Sequence, residues 1–135
     1  MTRTELSKKS EYYIPAALYK QCEYFCRQYP DWVKELATAA DPSAAIRYDR
    51  EKVQTSGDYD STAELAMRRH SIAVKKQMVD DAIAATVPKA LREYVLIGVT
   101  RKVTVWWLIS MGMPCGKNMY YKLRRAFFYE LSRRI

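Results

Sequence analysis

Residues that break helices are scarce in this chain, with four Gly and five Pro among 135 residues. With Ala, Leu, Lys and Arg supplying much of the rest, that scarcity favours helices and sets the expected fold class as all-α. Cysteine is sparse and odd in number: Cys22, Cys26 and Cys115. Three thiols, with no secretory pattern of charged, apolar and small residues, argue against a disulfide framework and for a reducing, cytoplasmic setting. No apolar run approaches the ~18 residues of a membrane helix, so no membrane partner is expected. The length suits one compact domain, or one helical body with a small appended module, and excludes two large domains.

Catalytic patterns are missing as well. There is no Gly-rich phosphate loop and no local Ser–His or Cys–His signal. Asp80 and Asp81 are adjacent on a helix and therefore point in different directions. An enzyme is not expected. Cys22, Cys26, Cys115 and His70 lack the CxxC and His spacings of a zinc module, so the thiols read as buried and free, with no metal and no cofactor.

What is present is positive charge in one place. The net charge of +8 lies entirely in the last third. From Lys89 onward ten Lys and Arg face two carboxylates, Glu93 and Glu130, whereas Met1 to Pro88 balances thirteen against thirteen. A neutral first part joined to a basic last part implies a polyanion-binding surface at the C-terminal end.

Along the chain, residues 1–13 are polar and unpatterned. Pro15 suits a helix start, and Ala17, Leu18, Tyr19, Cys22, Phe25, Cys26 and Tyr29 form a helical stripe that Pro30 should end or kink. Trp32, Val33, Leu36 and Ala37 make a second helical piece. Residues 41–60 mix Pro, Gly, Ser and Asp and read as a connector. Ser61 to Glu64 has the form of a capping box, predicting a long helix to about Thr86. Its apolar residues Leu65, Ile72, Val79 and Thr86 repeat every seven, with Met67, Val74, Met78, Ala82 and Ile83 widening the stripe. That stripe serves either a pairing seam in a homodimer or an ordinary core helix. The expected organisation is a helical body over 1–87, available for oligomerisation, and a module over 88–135.

The module reads as three helices. Ala90, Leu91, Tyr94, Val95 and Ile97 form the first, with Gly98 where a C-cap would sit. Val103–Met111 forms the second, with Trp106 and Trp107 expected in the core and at its rim. After the turn Met111-Gly112-Met113-Pro114-Cys115-Gly116, a third helix starts near Lys117. Tyr120, Leu123, Phe127 and Leu131 line its packing face, so Phe128 or Tyr129 must pack on the N-terminal body or on a second chain. A trihelical helix-turn-helix requires this order. On that hypothesis Lys117 and Asn118 are placed for base edges, where Asn suits adenine and Lys suits guanine. Tyr121, Lys122 and Arg125 share the outward side and serve bases or phosphates. Arg101, Lys102 and Arg124 are read as phosphate contacts, which position a module without reading sequence.

The tail GMPCGKNMYYKLRRAFFYELSRRI, with KVQTSGDYDSTAELAMRR and ALREYVLIGV upstream, resembles the ArpU and RinA-type phage transcription regulators. The C-terminal half of those proteins is similar to region four of sigma factors. Tyr120-Tyr121-Lys122-Leu123-Arg124-Arg125 and Phe127-Phe128 match their final helix, and the resemblance spans about Glu51 to Ile135. It departs at Pro114-Cys115-Gly116, where such families place a Ser-initiated helix. The resemblance implies a sequence-specific double-stranded DNA-binding regulator of phage or prophage late genes that also touches RNA polymerase. Two other classes fit the same features: a small terminase subunit, which forms a large ring for DNA packaging, and a structural protein whose basic helix binds an acidic protein.

Overall fold

Two prolines punctuate the first helices. Pro15 is extended and immediately precedes α1, Ala16–Arg27. Pro30 has no N–H to continue that helix, so α1 stops at Gln28 and Pro30 sits in the first turn of α2, Tyr29–Ala39. The computed structural model of the chain describes residues 12–39 and 58–135, and every regular element among them is helical. The fold is all-α.

The long helix α3 runs from Asp58 to Thr86. It begins three residues before Ser61, so the expected capping box lies inside the helix. Most of the expected connector, residues 41–57, lies outside the described residues. The seven-residue stripe holds at its centre, where Ile72 and Val79 are buried, while Met67 and Val74 are exposed.

After Val87 a 3-10 turn, Lys89–Leu91, leads into α4, Arg92–Thr100. The Arg92 guanidinium donates to the carbonyl oxygens of Val87 at 2.9 Å and Ala84 at 3.3 Å, satisfying groups at the end of α3. Helix α5, Val105–Ser110, is capped by the Thr104 hydroxyl, which accepts from the Trp107 N–H at 3.1 Å. It closes in a Schellman arrangement: Gly112 N–H donates to Ile109 O at 3.0 Å and Met113 N–H to Leu108 O at 3.1 Å. Gly112 has φ +102°, a conformation that disfavours side chains, while Met113 is buried like Leu108. Helix α6, Lys117–Ser132, follows from Gly116.

Two compact units result. One contains the described part of Met1–Tyr29 together with Met78–Ile135. In it α1 packs against α4 and α6, and α4, α5 and α6 pack on one another. Tyr19, Cys22 and Cys26 of α1 share its core with Val79, Val95, Leu108, Phe127 and Leu131. The compact unit therefore does not begin at residue 88. Both aromatics left without a place by helical spacing meet N-terminal residues: Phe128 lies 4.9 Å from Tyr19 and Tyr129 lies 5.9 Å from Tyr12, centroid to centroid. Gly98 is no C-cap. It sits inside α4, where a Cβ would overlap the Tyr120 side chain.

The other unit comprises the described part of Pro30–Gln77. Trp32 is buried and Val33 exposed, and Arg68 pairs with Glu35 at 2.8 Å. With Arg68 well exposed, such a pair contributes little to stability.

Candidate nucleic-acid interface

Gly116 caps α6 in extended backbone and offers no side-chain acceptor, so the helix begins at Lys117 and the order of its outward residues follows. At about 3.6 residues per turn, Lys117, Tyr121 and Arg124 recur at spacings of four and three along one side. Asn118, Lys122 and Arg125 repeat the same spacings on the adjacent side. The outward residues of α6 thus form two parallel strips. Lys117, Asn118 and Lys122 are exposed, whereas Tyr121, Arg124 and Arg125 are half-buried.

The first strip lines a cleft of about 320 Å³. Its opposite wall is the α4–α5 connection, with Arg101, Lys102 and Thr104, and the start of α5, with Trp106. Five of the eight residues expected from sequence meet there: Arg101, Lys102, Lys117, Tyr121 and Arg124. The other three, Asn118, Lys122 and Arg125, do not line it and face away on the second strip.

Two residues outside the expected set join the cleft. Arg27, at the end of α1, lines it although it lies outside the basic third of the chain. Nothing local in the sequence marks Arg27, because its proximity is created by the packing of α1 on α6. Trp106 is the second. Expected in the core or at its rim, it is 64% exposed, and Trp107 is exposed too, because the short α5 buries Val105 and Leu108 instead. Lys117 Nζ stands 5.9 Å from the centre of the Trp106 ring, within cation–π range.

Several basic residues are engaged by the fold. Arg124 approaches Glu23 at 4.0 Å and lies 5.6 Å over the Phe128 ring, so it is held in position. Arg134 pairs with Glu130 at 2.9 Å, and Arg92 caps α3. In the core of the same unit, burial pushes the Cys22 thiol up to about 11 and raises that of Cys26, keeping both neutral and poorly nucleophilic. No helix among the described residues is long and apolar enough to cross a membrane. Comparison with protein-family models, with curated proteins and with solved structures finds no match to this chain.

Proposed function

We propose that this protein is a sequence-specific double-stranded DNA-binding regulator of phage or prophage transcription, of the ArpU/RinA type, that reads the major groove with α6. The observation that carries the reading is the pair of strips on α6. One strip carries the exposed Asn118 and Lys122 and the half-buried Arg125, an amide and two cations suited to base edges. The other, with Lys117 at its head, faces cations from the α4–α5 connection, a set suited to phosphates. Helix α5, its Schellman turn and α6 follow in the order that a helix-turn-helix uses. RNA polymerase and a second copy of the chain are the proposed protein partners, and the cytoplasm the proposed location.

The test is fluorescence anisotropy of the full chain with duplex DNA from upstream of its neighbouring genes and with scrambled duplex, at two salt concentrations. The expected result is preferential binding to one native segment. Asn118→Ala removes the preference, and Lys122→Ala weakens all sequences with a shallower salt dependence. Equal, weak binding to both duplexes that vanishes with salt sinks the reading. A native mass of eight or more protomers moves it toward the packaging subunit.

A further inference from the structure

The cleft beside α6 gathers five cations, Arg27, Arg101, Lys102, Lys117 and Arg124, and no carboxylate among the described residues lines it. Glu23 reaches Arg124 at 4.0 Å, the outer limit of an ion pair. Like charges converging on one partly enclosed space repel one another and lose hydration, which an anion in that space would offset. Arg27 adds a sharper sign. Its Nε is buried with no hydrogen-bond partner, and a buried donor left unmade is costly. Three aromatic residues are among the remaining lining. Trp106 lines the cleft and is 64% exposed, with Lys117 Nζ 5.9 Å from its ring centre, and Tyr120 and Tyr121 line it too. Cations on both walls and an exposed indole beside them match the two chemistries of a nucleotide, a phosphate and a planar base. About 320 Å³ is at the lower end for small-ligand clefts and suits one nucleotide rather than a longer chain.

We propose that this cleft is a nucleotide-phosphate site, in which Arg27 and Arg124 hold the phosphate oxygens and Trp106 covers the adjoining base. The phosphate belongs either to a DNA strand lying against α6 or to a free nucleotide. The first source rests on the DNA-binding reading and the second does not. On the first, the N-terminal helix α1 takes part in gripping DNA through Arg27, outside the sequence-predicted interface.

Full-length wild type, Arg27→Gln, Arg27→Lys, Trp106→Ala and the surface control Arg134→Gln are titrated with the upstream duplex by anisotropy and with adenosine 5′-monophosphate by calorimetry. Thermal melting of each free protein is recorded alongside. With DNA as the source, Arg27→Gln weakens duplex binding about tenfold and lowers the logarithmic salt slope by about 0.9, one phosphate's worth. Trp106→Ala weakens binding at least fivefold, and Arg134→Gln changes nothing. Arg27→Gln melts at or above the wild-type temperature, since it relieves repulsion, whereas a merely structural arginine would lower it. Should Arg27→Gln fail to fold, Arg27→Lys keeps the charge without the planar fork and is expected to retain the slope but lose affinity. Monophosphate binding that depends on Arg27 and Trp106, with no duplex binding, keeps the site and removes the DNA reading. Duplex binding that responds to Asn118→Ala but not to Arg27→Gln or Trp106→Ala, with no monophosphate bound, keeps the DNA reading and overturns the site. Binding of neither probe overturns both.

Discussion

Gly98 of α4 and Tyr120 of α6 leave each other no spare room: a Cβ at residue 98 would overlap the Tyr120 hydroxyl, 2.9 Å from its Cζ and 3.1 Å from Leu108 Cδ1. Tyr120 is itself buried, so its ring has nowhere to go. Gly98→Ala gains about 1 kcal/mol of helix propensity and loses roughly 1–3 kcal/mol to overpacking. The expected result is net destabilisation in urea unfolding. Adding Tyr120→Phe, which removes the overlapped oxygen, is expected to recover part of that loss, so the double-mutant cycle is non-additive.

Tyr19 and Phe128 join α1 to α6 at 4.9 Å, and both are buried. Tyr19→Ala is expected to cost about 3–5 kcal/mol, read as a fall in the urea midpoint. By the same contact, a fragment of residues 88–135 uncovers Phe128 and loses Cys22 and Cys26 from its core. Circular dichroism of that fragment should show reduced helicity and no cooperative melt. A cooperative transition like that of the full chain would mean that α1 is dispensable.

Gly116 separates the stability of α6 from its proposed role. Its side-chain position is open and its backbone extended, so Gly116→Ser and Gly116→Asp each supply a missing cap, a gain of about 0.5 kcal/mol in melting experiments. Gly116→Asp also sets a negative charge beside Lys117 and is expected to weaken duplex binding, where Gly116→Ser leaves it nearly unchanged. Equal binding by both variants would separate the start of α6 from nucleic acid.

The thiols make stability sensitive to alkaline pH. Cys22 and Cys26 are raised by burial, and for Cys26 also by its neighbour Cys22, so the folded protein favours their neutral forms. The folded state then holds more protons than the unfolded chain above its ordinary thiol value of about 9, and stability falls as pH rises from there through about 11. Below that window the contribution is fully present. Tyr29, raised by burial and by donating to Asp80 Oδ1 at 2.7 Å, adds to the loss at the upper end. Urea midpoints across this range should decline, and Cys22→Ala with Cys26→Ala should flatten the decline. In a thiol-reagent assay on the native protein Cys115, the least buried of the three, should react first.

The helices were legible in the sequence because their signals are local. Scarce Gly and Pro, the three- and four-residue spacings and Pro30 place α1, α2, α3 and α6 to within a few residues, and the buried Tyr120, Leu123, Phe127 and Leu131 are those the spacing names. Local signals also misled. Gly98 resembles a helix stop, yet its missing Cβ serves a neighbouring helix, and Trp106 resembles a core residue, yet α5 is short enough to be anchored by Val105 and Leu108.

The sequence by itself determined the all-α class, the concentration of charge at the C-terminal end and the outward residues of α6, since composition and helical period depend on no distant partner. Tertiary structure alone decided that α1 belongs with the C-terminal helices, that eight candidate residues divide into a cleft strip and an open strip, and that Arg27 joins the first. Those outcomes depend on which helix packs on which. A periodic pattern shows that a face will be buried but carries no address for what buries it.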